Sequence, residues 1–124
     1  MERIVTERSS PGIGPYSQAI RANGFVFVSG QLGLSPNTSS LVEGGVEPEL
    51  IQAMANVAEI LAEAGSSWAK VVKATVFLAD MNDFGLVNKL YATKVGDIPP
   101  ARTAVQVAAL PRNARIEIDV IAVV

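Results

Sequence analysis

With 124 residues, a formal net charge of −2 and neither cysteine nor histidine, the chain excludes several kinds of chemistry before any motif is read. Disulfides, thiol nucleophiles, Cys/His zinc centres, Ser-His-Asp triads and histidine acid–base pairs are removed, so proton transfer falls to Glu, Asp, Lys, Tyr, the backbone or water. The charge balance lacks the basic stripe on which nucleic-acid binding usually rests, and no dense acidic cluster suggests a carboxylate-held magnesium.

At 49% apolar and 18% charged residues the composition is that of a globular protein, read as a single domain over 1–124 that buries roughly two thirds of its unfolded surface. "MERIVTERSS" is charged where a signal peptide needs an apolar core, and no apolar run approaches the roughly 20 residues of a membrane span. The expectation is a soluble, cytoplasmic protein.

In chain order, residues 1–7 read as a short edge strand and "SSPGIGPY" as a turn. Ser17 to Arg21 reads as a second strand, "ANG" as a hairpin turn and "FVFVSG" as a third strand ending at Gly30. "LSPNTSSLVEGG" is a polar loop. A helix is expected from Pro48 to a Gly65 cap, with Leu50, Ile51, Met54, Val57 and Leu61 on its buried face and Ala53, Ala55, Ala58 and Ala62 allowing close approach to a sheet. "KVVKATVFLAD" is a strand whose dense β-branching calls for both faces to be at least partly covered. Asn82 or Asp83 caps a second helix from about Phe84 to Val95, ended by Gly96. Its Phe84, Val87 and Leu90 or Tyr91 face inward, with Asn88 one turn from Phe84 and Tyr91. Arg102 to Ala108 is a strand, "LPRNA" a turn, and "RIEIDVIAVV" a last strand with Ile116, Ile118, Val120 and Ala122 on one face and Glu117 and Asp119 on the other. This order gives an α+β fold, a mixed β-sheet with two helices on one face. Phe77, Val105, Val107, Ile121 and Val123 then fall on the uncovered face, which points to association with another subunit; edge and terminal exposure is the plainer account.

Several residues carry chemical potential. Arg102, after the rigid "PPA", is either a salt bridge to Glu117 or Asp119 on a neighbouring strand or a bidentate carboxylate clamp, with Ala104 leaving space two residues along the same face. Glu117 is either a solvated charge or a base whose proton affinity burial raises. Tyr16 either packs with its hydroxyl satisfied or reaches across a cleft. Ser29 and Gly30 either end a strand or let a ligand approach the backbone. The glycines of "PGIGPY" make no phosphate loop, since no Lys-Ser/Thr and no helix follow. Lys70 and Lys73 read as solvated or edge charges.

Taken together, "IGPYSQAI", "VSGQLG", "VVKATVFLADMNDF", "PPARTAVQVAALP" and "IEIDVIAV" resemble the YjgF/Rid family, the reactive intermediate (imine) deaminases, over nearly the whole chain. The resemblance implies a subunit like that of the trimeric chorismate mutases, assembled as a homotrimer with active sites between subunits, which accounts for the second apolar face. It implies hydrolysis of 2-imino acids to 2-keto acids and ammonia, without metal or cofactor. On that footing Arg102 holds the substrate carboxylate and Glu117 activates water. A backbone carbonyl near Ala104 steadies the imine nitrogen, Tyr16, Ser29 and Gly30 line the cleft, and Phe84 and Asn88 add wall and polar contact. The chain departs from the family pattern at Lys94 and Val95, where many members have aromatic residues, and at Ala104, often cysteine. Two rival readings are a non-catalytic sensor of small 2-keto acids using the same Arg102 pocket and an RNA-directed ribonuclease or translation inhibitor; the missing histidines and negative charge count against the second.

Overall fold

A computed structural model describes all 124 residues. The elements run β1 (Glu2–Ile4), β2 (Ala19–Ala22), β3 (Phe25–Gln31), α1 (Val46–Glu63), β4 (Val71–Leu78), α2 (Phe84–Ala92), β5 (Ala101–Gln106) and β6 (Ile116–Val123). They form one six-stranded sheet in the order β1-β2-β3-β6-β4-β5. Only β4 and β5 are parallel, joined through α2, so the sheet is mixed. The β2–β3 hairpin turns on Asn23 and Gly24, both at positive φ (52° and 79°), the backbone that the "ANG" stretch calls for.

Strand alternation decides where the core lies. Val26, Val28, Ala74, Val76, Leu78, Ile116, Ile118, Val120 and Ala122 are buried on one sheet face, together with Leu50, Met54, Val57, Ile60 and Leu61 of α1 and Val87 and Tyr91 of α2. The intervening residues populate the other face. There the register sets Ile20 beside Phe27 and Phe27 beside Ile121, while Phe77 lies beside Val105. No helix covers them, and Phe25, Phe27 and Val105 remain exposed.

Three local expectations are corrected and one is sharpened. α1 begins at Val46, with Pro48 inside its first turn rather than opening it, because Gly44 and Gly45 (φ 112° and 95°) redirect the chain earlier. Ile51 is exposed, as are Ala55 and Ala62: the buried arc runs through Leu50, Ala53, Met54, Val57, Ile60 and Leu61, and Ile51 lies one residue, about 100°, off it. Asp83 holds the N-cap position of α2, as expected, but makes no side-chain cap bond; that bond forms at the 3-10 turn just before it (Met81–Asp83), where the Asp80 carboxylate accepts from Asn82 N at 2.9 Å. α2 ends at Ala92, where Thr93 N and Lys94 N close tight turns onto Leu90 O and Tyr91 O.

Candidate functional site

The sequence-selected residues fall into two clusters on opposite faces of the sheet. The first borders a cavity of ≈ 590 Å³ beside the open face, lined among others by Ile13, Tyr16, Ser29, Gly30, Arg112 and Glu117. The second surrounds Arg102, on the helix side, with Phe84, Asn88, Tyr91 and Ala104.

A bulge builds the first cluster. Val28 pairs with Val120 but Gln31 with Ile118, so β3 carries one extra residue against β6 and Ser29–Gly30 are pushed out of register. Ser29 Oγ donates to Ser17 O at 2.6 Å, and Gln31 Nε2 donates to Ser29 O at 3.1 Å. Gly30 makes room for the Glu117 carboxyl: a Cβ on it would lie 2.5 Å from Glu117 Oε2, so the side chain could not keep this position. Glu117 is half-buried and its carboxyl is raised above the usual range, first by burial and then by the negative charge of Asp119.

The far wall is the segment from Ser10 to Tyr16. It is anchored by buried Gln18, which accepts from Thr6 N at 2.8 Å and donates to Thr6 O and Ser10 O, each at 3.1 Å. Tyr16 keeps its exposed ring over Gly12, and its hydroxyl accepts from Ile13 N at 3.1 Å. The phenol is therefore satisfied locally while its face fronts the cavity.

Beneath the loop that follows β3 lie two residues that the sequence reading did not single out. Asn56 Nδ2 donates to Leu32 O (3.2 Å) and Leu34 O (2.9 Å), and Glu49 accepts from Arg115 N (2.8 Å). Both are buried polar residues of α1. Their signal was present, since a polar residue spaced with an apolar helical arc points inward and needs partners.

Arg102 pairs in register with Ala74, and Ala104 with Val76, both partners buried under the helices. Its guanidinium carbon stands 5.5 Å from the centre of the Phe84 ring and 5.0 Å from that of Tyr91, a cation against two aromatic faces. The expected alternative of a salt bridge to Glu117 or Asp119 is absent; the ion pairs present are Arg8 with Glu59 and Glu63, and Arg21 with Glu2. The Tyr91 hydroxyl, and on the same helix the Asn88 Oδ1 atom one turn from Phe84 and Tyr91, are buried without a hydrogen-bond partner. Burial raises the Tyr91 phenol, and Arg102 opposes that shift. β5 is also the sheet edge, so its outer carbonyls face no further strand.

Arg102 and Glu117 thus do not meet within one chain: they point to opposite faces, with β4 between their strands. No group of three His, Cys, Asp or Glu is placed to hold a metal ion. No helix is long and apolar enough to cross a membrane.

A mixed sheet with two helices on one face, a carboxylate against a glycine bulge and an arginine without an ion-pair partner on the edge strand make this a small α+β protein with two half-buried charged sites. The profile of the family described as endoribonuclease L-PSP matches residues 7–124, and the chain belongs to that family, also called YjgF/RidA. It is 52% identical over 120 residues to the 2-iminobutanoate/2-iminopropanoate deaminase of Mus musculus, covering 97% of this chain and 89% of that protein. Its fold superposes on RidA from the Antarctic bacterium Psychrobacter sp. PAMC 21119 with a TM-score of 0.97, at 38% identity and 100% coverage of both chains. E. coli TdcF, solved with bound serine, gives a TM-score of 0.92 at 35% identity, covering 100% of this chain and 99% of that one.

Proposed function

We propose that the protein is a 2-imino acid deaminase, hydrolysing 2-iminopropanoate and 2-iminobutanoate in the cytoplasm as a homotrimer whose active sites lie between subunits. Water adds across the C=N bond, and the C–N bond then breaks to leave a 2-keto acid and ammonia. The observation that carries this reading is the separation of Arg102 from Glu117. Each is a half-buried charge without an opposite partner, and each belongs to an incomplete site on its own face.

Bringing the open face of one copy to the β5 edge of the next would complete both. Arg102, braced by Phe84 and Tyr91, then grips the substrate carboxylate with two parallel hydrogen bonds. The Ala104 carbonyl and Asn88 side chain take the nitrogen, and Tyr16, Ser29 and Gly30 form the opposite wall. Glu117 accepts a proton from the attacking water and returns it to the departing nitrogen, work that its raised proton affinity suits. An imine is already electrophilic, so positioning and one acid–base group meet the demand. The mouse relative's name supports this substrate class, and so does the serine on E. coli TdcF, since an α-nitrogen next to a carboxylate is common to serine and a 2-imino acid. The family's description as an endoribonuclease is not adopted, because the net charge of −2 offers no basic stripe to a phosphate backbone.

The test generates 2-imino acids in situ with an amino-acid oxidase and follows keto-acid release. Acceleration by the purified protein over buffer is expected; none across several amino acids would favour a sensor of 2-keto acids instead.

A further inference from the structure

The centre of the open sheet face is polar although its surroundings are not. Asp119 lies directly opposite Thr75, whose next neighbour across the parallel ladder is Thr103. Lys73 Nζ donates to Thr103 Oγ1 at 2.8 Å. Around this row stand Phe27, Phe77, Val105 and Ile121, so the network occupies an otherwise apolar field. Asp119 and Glu117 are next-but-one residues on β6 and face the same side, roughly 7 Å apart along the strand.

We propose that Asp119 is a positioning residue for Glu117: next but one on β6 and on the same sheet face, it sets a second carboxylate without an ion-pair partner beside the one that handles water. The role in turnover rests on the deaminase reading above; the electrostatic coupling does not.

The surroundings support the assignment. Lys73 donates to Thr103 and forms no ion pair with Asp119, so the aspartate charge is damped rather than cancelled. Burial is the largest influence on Asp119 and raises its carboxyl, while the neighbouring Thr75 and Lys73 act the other way without reversing it. The other ionisable groups near Glu117 do not supply the same influence. β3 contributes none over Phe25–Gln31. Arg112, on the turn at the cavity wall, donates to Ser39 O at 2.8 Å, and Arg115 at the start of β6 is exposed. Tyr16 across the cavity is occupied with Ile13 N. Asp119 is the only anion among these groups, and repulsion between two carboxylates holds a proton on one of them longer. Covering this face in a trimer strengthens the effect, because less water screens it.

The experiment follows the Glu117 side-chain carboxyl by 13C NMR through a pH titration, in the parent and in Asp119→Asn and Asp119→Glu, each first checked for parental size and circular dichroism. In Asp119→Asn the Glu117 midpoint should move to lower pH, and the acidic limb of the kcat/KM profile should move with it; Asp119→Glu should keep both near the parent. A Glu117 midpoint unmoved in folded Asp119→Asn overturns the proposal. A parent that shows the coupling but releases no keto acid removes the deaminase reading and supports the electrostatic one.

Discussion

Glu117 Oε2 sits 2.5 Å from the point where a side chain on Gly30 would begin. The bulge at Ser29–Gly30 is therefore the mould into which the carboxylate fits. Gly30→Ala forces Glu117 to swing aside, because the clash is with its carboxyl group, the end that must face water. A displacement near 1 Å costs about a hundredfold in rate when geometry governs the step, so kcat in the oxidase-coupled assay should fall by about that factor with KM little changed. Circular dichroism should report a fold retained.

Arg102 tests the carboxylate grip. Arg102→Ala should abolish keto-acid release while the parental oligomer persists by size-exclusion chromatography with light scattering. Arg102→Lys should recover little, since an ammonium cannot present the planar fork or lie against Phe84 and Tyr91 as a guanidinium does. Equal activity in Arg102→Ala and parent would defeat the clamp.

Complementation tests the division of the site between copies. Arg102→Ala and Glu117→Gln chains should each be inactive alone. In a cyclic trimer any mixture of the two leaves one cleft with both native groups, so random co-assembly should restore about a quarter of parental activity. No recovery in verified mixed trimers would defeat the reading of a cleft shared between copies.

Proton linkage predicts a trade between stability and activity. The carboxyls of Glu117 and Asp119 both bind protons more tightly in the folded chain than is usual, chiefly through burial. Such groups favour the folded state at acid pH, and their contribution is lost as pH rises through the raised folded values. Glu117→Gln should accordingly melt higher than the parent at pH 7, with the difference shrinking toward pH 4. Activity should fall in the parent as acidification protonates Glu117, from a pH above that of an ordinary glutamate.

Asn56 tests the support behind the cavity. Its amide serves Leu32 O and Leu34 O from within the core. Asn56→Ala leaves two buried carbonyls unpaired, at about 1–3 kcal/mol each. Denaturant titration should show that loss, while activity of the remaining folded protein declines only modestly.

Much of this architecture was legible in the sequence. The alternation in "IEIDVIAV" sends Ile116, Ile118, Val120 and Ala122 into the core, and all four are buried. The parity that turns Val105 outward turns Arg102 toward the helices, a consequence that the salt-bridge alternative with Glu117 overlooked. Strand order was not legible, because β4 and β5 meet only through a helical crossover and nothing local states which neighbour each takes. The β3 bulge was equally hidden: Ser29–Gly30 reads as a strand end, and only pairing with β6 reveals an extra residue. Ile51 and Asn56 are opposite failures of one assumption, that residue type decides the side of a helix. Ile51 lies off the arc and is exposed; Asn56 lies on it and is buried because two loop carbonyls need its amide. Asp80 was missed as a capping side chain because a 3-10 turn, Met81–Asp83, stands between it and the helix start at Phe84.

Gln18 clasps Thr6 and Ser10, and the strap it secures runs directly into Tyr16. Force or crowding applied ahead of Met1 is thereby transmitted to the rim of the cavity, although none of the first nine residues borders it. A purification handle belongs after Val124, whose exposed side chain and single tether to Gly24 O leave that end free of the rim.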